Sequence, residues 1–418
     1  MPRILPPVLK RSAFRDLWLG QTISVFGDQV TLLAVPIIAV LTLGATPEQM
    51  GLLTAAGLLP HLLFSLPAGV WMDRVRERRR LMIFFDLGRA LVVGSIAVAF
   101  VVGVLTLPQL FVTTFIAGTL GVAFDLAWST QFVTVVEREE YLTATSLFNG
   151  SRSMAQVAGP LIGGALIQFF KAPFAVLIDA VSYLFSAFFL SRIQMPEPPI
   201  EPSTESLRSQ LSIGLSFIAR DRVMRPALMS VATVNFFSYA FSALFILYVT
   251  TFLGLDPALL GVVLGAAAVG AVIGALVASR VGHAIGIGPS YAVGLFVFSA
   301  SWILVPLAMP GWPLPVVSAL VFASEFIGGI GVMILDINAG AIIPARTPHA
   351  IRSRVTGGWR FINMGIRPIG AVVGGLAGGA FGVRETMFVA SLGALFGMLF
   401  LVRSPVLALH EVPETAEI

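Results

Sequence analysis

GVWMDRVRERRR, residues Gly69 to Arg80, sets five arginines and two acids into twelve positions of a chain in which only 11% of residues are charged. Long apolar runs lie on either side of it. A charge at the centre of a bilayer costs at least a few kcal/mol, so this stretch belongs in water and its two neighbours are read as membrane spans.

The rest of the chain extends that reading. Of 418 residues, 57% are hydrophobic, and the mean hydropathy of +0.92 exceeds what a soluble protein tolerates. Apolar stretches of about 20 residues each span a bilayer. They fall at about 15–43, 48–72, 80–105, 108–135, 142–169 and 172–191, then at about 226–253, 257–280, 287–308, 314–340, 354–381 and 385–403. The expected fold is an all-α integral membrane protein of twelve transmembrane helices.

Composition also excludes classes. With no cysteine, and with His61, His283, His349 and His410 scattered, no metal-ligand spacing is present. No phosphate-cradling glycine loop ending in Lys-Ser/Thr occurs, so an internal ATPase is not expected. Serines lack an evident His/Asp partner, which argues against an intramembrane hydrolase. The net charge of +4 is explained by topology rather than by nucleic-acid binding. Twenty Lys and Arg fall in the tails and in the loops after even-numbered spans, and two, Lys171 and Arg384, in the opposite loops. The positive-inside rule therefore places both termini, and Gly69 to Arg80, in the cytoplasm. The basic N-terminus does not read as a cleaved signal peptide.

The longest polar segment, 191–225, lies near the middle of the chain. Its proline-rich start reads as a linker and LRSQLSIGLSFIARD as an amphipathic surface helix. The expected organisation is a six-helix bundle over 1–190, this linker over 191–225, a second bundle over 226–405, and a tail over 406–418.

The two bundles read as repeats. GATPEQMG (44–51) and GLDPALLG (254–261) match at Gly44/Gly254, Pro47/Pro257 and Gly51/Gly261, a constant offset of 210. Asp125 and Asp336 are 211 apart, and AGPLIGGAL (158–166) has its counterpart in IRPIGAVVGGL (366–376). Duplicated, pseudo-symmetric halves are the architecture of alternating access.

On these residues the chain resembles a twelve-helix transporter of the major facilitator superfamily. The loop after span 2 carries that family's motif as Gly69, Asp73, Arg74, Arg78, Arg79 and Arg80; Arg76 and Glu77 depart from it. Span 5 carries the antiporter motif as Gly159, Pro160, Gly163 and Gly164. FGDQVTLLAVP, LPHLLFSLPAG and DLGRA are similar to the drug:proton antiporter branch that includes macrolide and siderophore exporters. The resemblance implies a loop that holds the halves together, with Asp73 facing the start of span 11 and Arg78 paired with Asp125. It also implies a span 5 kink that limits leak, and a cavity lined by spans 1, 4, 7 and 10.

Ionisable residues inside spans are functional candidates. Asp28 and Glu325 fall near mid-membrane on spans 1 and 10, and Arg152 and Arg367 at similar depth are able to neutralise them. Asp28, Glu325 and Arg152 are the proton-coupling candidates. Gln21, Asp28, Asn235, Tyr239 and Glu325 are the cavity candidates, Asn235 and Tyr239 sharing one helix face. Asp86 and Arg89 read as a structural pair near the cytoplasm, and Asp179 as a water-facing acid near the outer end of span 6.

The expected function is proton-coupled export of amphipathic drugs or secondary metabolites, with nutrient symport or lysophospholipid transport as alternatives. The proton gradient supplies the energy. The expected partners are a small amphipathic substrate, protons and membrane lipid, with no cofactor, metal or nucleic acid. The expected protein is a monomer in the bacterial inner membrane, and not an enzyme.

Overall fold

The computed structural model describes residues 6–72, 75, 77–194 and 207–411, which are helical almost throughout and contain no strand. The chain runs through α1 (Ser12–Ile37), α2 (Pro47–Met72), α3 (Arg78–Val102), α4 (Leu107–Val135), α5 (Tyr141–Phe170) and α6 (Ala172–Arg192). After α7 (Leu207–Arg220) follow α8 (Met224–Leu247), α9 (Pro257–Ile285), α10 (Ile287–Ser301) and α11 (Leu304–Leu307). The last are α12 (Leu314–Arg346), α13 (Arg352–Phe381), α14 (Val383–Leu395) and α15 (Leu399–Val402). Among the described residues, eleven helical stretches are long and apolar enough to cross a membrane. α2 is itself 26 residues long.

Local geometry explains why the two halves match in sequence. Each first span ends in a π-helical turn, Ile38–Thr42 in one half and Tyr248–Phe252 in the other. These are closed by bonds five residues apart, from Leu43 N to Ile38 O (3.0 Å) and from Leu253 N to Tyr248 O (3.1 Å). Gly44 (φ 64°) and Gly254 (φ 75°) then take the left-handed conformation that only glycine adopts without penalty. The next helix opens on Pro47 or Pro257, at the position where a missing N–H costs nothing. Thr46 and Gln49 cap the first of these helices reciprocally, Thr46 N donating to Gln49 Oε1 at 2.9 Å. The Asp256 carboxylate accepts from Leu259 N to cap the second.

The chain divides into two compact units, residues 1–44 with 56–204 and residues 45–55 with 205–418. In the first, α1 packs on α5 and α6, and α3 on α4 and α6. One end of this unit holds a buried cluster that includes Phe14, Leu17, Met82, Phe85, Phe124 and Val135, with Trp128, Phe132 and Phe148 packed against it. Ion pairs bind the same end: Arg11 to Glu137 (2.5 Å) and Glu140 (3.3 Å), and Arg192 to Asp16 (3.5 Å).

In the second unit, α12 packs on α9 and α10, and α8 on α13 and α14. α7 packs on α13, so closely that Gly214 has no room for a side chain beside the Arg354 carbonyl. Asp221 ties it down: Oδ1 accepts from Val223 N (2.9 Å) and Met224 N (2.8 Å), and Oδ2 pairs with Arg346 at the end of α12 (3.0 Å). Outward faces stay apolar, as with Leu91, Phe169 and Phe381, all more than three-quarters exposed. In lipid this costs nothing, because the solvent is itself hydrocarbon.

Candidate transport site

Within the first unit, four helices bring acids together around one arginine. α6 contributes Asp179, Ser182, Tyr183 and Ser186, whose spacing of three and four places them on a single helix face. α1 supplies Asp28, and Tyr183 Oη donates to Asp28 Oδ1 at 2.5 Å. α3 supplies Asp86 and Arg89, an ion pair one turn apart. The Arg89 guanidinium lies between two rings, 4.5 Å from the centroid of Phe124 on α4 and 4.3 Å from that of Tyr183. Such a sandwich holds a desolvated cation by its attraction to the ring faces.

Asp86 and Asp179 are fully buried, Arg89 and Tyr183 nearly so, whereas Asp28 is half-buried. Asp179 is reached by the Ser182 hydroxyl at 3.1 Å. Both crowd Gly27, where no side chain would fit, which sets Asp179 beside the turn that carries Asp28. Asp28, Asp86, Asp125 and Asp179 all lie within electrostatic reach of Arg89. Arg152 and His61 act on Asp125 from α5 and α2.

Two readings change here. Asp179 is not a wet outer residue but a buried member of this cluster, and Asp86 with Arg89 belong to the same cluster rather than to a separate cytoplasmic pair. Arg152 is exposed and forms no ion pair among the described residues. Gln21 lies two turns before Asp28 on α1, with Nε2 buried and without a hydrogen-bond partner among the described residues. Tyr183 was missed by sequence reasoning; the face in DAVSYLFS (179–186) was the available signal.

The span 5 motif lies in the continuous helix α5, with Gly159, Gly163 and Gly164 buried and Pro160 inside the helix. Gly159 sits against the Gln29 side chain of α1 and Gly163 against Val30 and Leu33, so this face of the motif is a close crossing of α5 with α1. In the arginine-rich loop, Asp73 and Arg74 lie outside the described residues, and Gly69 falls within α2. Arg78 opens α3, buried, its Nε donating to the Met72 carbonyl at 3.4 Å. Glu77, the departure from the family motif, pairs with Arg80 at 2.6 Å.

The second unit also carries charges within its spans, Glu325 and Asp336 on α12 and Arg360 and Arg367 on α13. Glu325 on α12 makes no hydrogen bond or ion pair among the described residues and is half-buried. Asn235 and Tyr239 on α8 meet Asn363 and Arg367 on α13. Arg367 donates to Asn363 Oδ1 (2.8 Å) and to Tyr239 Oη (3.2 Å), and Asn235 Nδ2 also donates to Asn363 Oδ1 (3.3 Å).

Long apolar helices and two units that repeat the same turn are the build of a multi-pass membrane transporter. The chain belongs to the transmembrane secretion effector family of the major facilitator superfamily, whose family model matches residues 5–416. It is 27% identical over 411 residues to an uncharacterized MFS-type transporter, YfiS, of Bacillus subtilis (strain 168), covering 95% of this chain and 94% of that one. It is 24% identical over 379 residues to the multidrug efflux pump Tap of Mycolicibacterium fortuitum, covering 88% and 90%. Among solved structures, the nucleoside transporter NupG (D323A mutant) superposes with a TM-score of 0.75 at 12% identity, covering 93% of this chain and 98% of that one. A bacterial homologue of the lysosomal transporter Spinster gives 0.70 at 14%, covering 93% and 95%. These likenesses establish the fold. With bacterial relatives and apolar spans, the chain is a multi-pass protein of the bacterial inner membrane.

Proposed function

We propose that the protein exports amphipathic small molecules, drugs or secondary metabolites, in exchange for protons by alternating access, acting as a monomer. The observation that carries this reading is the excess of acid around Arg89. One guanidinium balances one carboxylate, and Asp86 already occupies it. Two carboxylates about 5 Å apart repel by about 3 kcal/mol at an effective dielectric of about 20. Asp28, Asp86 and Asp179 thus share one guanidinium, and the group is kept near neutrality by bound protons or by a cation.

Asp28, half-buried on α1 and held by Tyr183, is the member from which a proton leaves or to which a substrate comes. Tyr183 holds the Asp28 carboxyl in place and also covers Arg89, which connects the partly open end of the cluster to its closed end. Loss of a proton at Asp28 alters the charge felt by Arg89 and Asp86. An exchange at one helix thus changes the forces between α1, α3 and α6, which is what coupling requires. Glu325 in the second unit, without a hydrogen bond or ion pair among the described residues, is the second candidate for proton exchange. The relatives named as multidrug efflux pumps support export as the direction.

The test is movement of a rhodamine dye in inside-out vesicles bearing the protein under an imposed pH gradient. Uptake that collapses on addition of a protonophore supports the reading. Dye movement indifferent to the gradient overturns it.

A further inference from the structure

We propose that Arg367, with Tyr239 and Asn363, forms a subsite for a carboxylate carried by the substrate. This inference deepens the export reading by naming a substrate class, and it rests on that reading.

Arg367 is the sixteenth residue of the thirty-residue α13, well inside the span. An arginine at that depth is expensive and is normally found paired with an acid. No ion pair joins it to an acid among the described residues; the Asp336 charge on α12 acts on it only from beyond ion-pair distance. Its contacts are all neutral. Nη2 donates to Asn363 Oδ1, Nη1 donates to Tyr239 Oη, and the guanidinium carbon lies 5.2 Å from the centroid of the Tyr239 ring.

The hydrogen-bond inventory of this group is one-sided. Asn363 Oδ1 is taken up by Arg367 and by Asn235, and Tyr239 Oη already accepts, so its own O–H is free to donate. Arg367 Nε has no partner among the described residues. Guanidinium offers five N–H donors, and the contacts above use two of them. What remains is a set of donors around a fixed positive charge, held in place by its neighbours and partly buried. A planar two-oxygen anion is the complement of that arrangement, because guanidinium engages carboxylate through two parallel bonds. Tyr239 is itself held from behind, packed with Val372 against the buried Ala55, Ala243 and Ala371. A donor array of this kind suits the carboxylate end of an amphipathic acid.

The experiment measures binding to the purified full-length protein in detergent by equilibrium dialysis, with a dansyl-labelled long-chain carboxylic acid and its methyl ester. The wild type is expected to bind the acid about tenfold more tightly than the ester. Arg367→Gln is expected to bring the two within about twofold while leaving ester binding unchanged, which also reports that the variant is folded. Arg367→Lys keeps the charge and is expected to retain part of the preference. Equal binding of acid and ester by the wild type overturns the proposal, as does an Arg367→Gln variant that weakens both alike or keeps the full preference. Export of both probes without preference sinks the subsite alone. A clear preference in binding with no export of either sinks the export reading alone.

Discussion

Tyr183 and Asp28, 155 residues apart in sequence, meet through a hydrogen bond of 2.5 Å from the phenol to the carboxyl group. The same tyrosine ring lies 4.3 Å from the Arg89 guanidinium carbon. One side chain therefore touches both the half-buried acid of the cluster and its buried cation. This contact carries the first prediction.

Tyr183→Phe removes the bond to Asp28 and keeps the ring over Arg89. A hydrogen bond to a charged group contributes about 1.5–3 kcal/mol. Proton-driven dye export is expected to fall roughly tenfold or more, whereas the melting temperature in detergent changes little. A variant that melts much earlier, or that transports normally, places the role of Tyr183 in packing alone.

Arg89→Gln leaves Asp86 buried without its cation. Removing one partner of a buried pair costs about 3–5 kcal/mol, and the expected result is a sharp loss of folded protein, read by thermal unfolding in detergent. Asp86→Asn combined with Arg89→Gln removes both charges and is expected to recover most of that stability without recovering transport.

Gly159→Val drives a side chain into Gln29 of α1, whereas a Cβ on Gly150, on the same helix, meets nothing within 4 Å. Overpacking costs about 1–3 kcal/mol. Thermal melts should show Gly159→Val destabilised by that order and Gly150→Ala close to wild type.

Asp221→Ala releases two backbone N–H groups and the Arg346 pair at once. Loss of a cap costs about 0.5–2 kcal/mol. Protease nicking between α7 and α8 is expected to accelerate, and an unchanged cleavage rate would contradict the role given to Asp221.

Much of the fold is legible in the sequence, for a physical reason. A span needs about 20 apolar residues whatever it packs against, and the turn after each first span needs glycine and proline at fixed places. Hence apolar runs and the Gly44/Gly254 and Pro47/Pro257 matches suffice. The cluster was legible only in its members. Asp28, Asp86, Arg89 and Asp179 each stand out as charges in apolar runs, but their meeting depends on the rotation and height of α1, α3 and α6. In lipid the packed and exposed faces of a helix are equally apolar, as the weakly patterned α6 shows, so periodicity does not reveal which face turns inward. The spacing of Asp179, Ser182, Tyr183 and Ser186 was the one polar stripe that did.

Substrate-induced proton release tests the central claim most directly, measured with a pH indicator in weakly buffered detergent solution. Rhodamine, ethidium and the dansyl carboxylate serve as substrates, with wild type, Asp28→Asn and Glu325→Gln compared. The account predicts that a bound substrate releases protons from the wild type and from Glu325→Gln, and releases none from Asp28→Asn although the substrate still binds. Binding without proton release by the wild type, or undiminished release by Asp28→Asn, would contradict it.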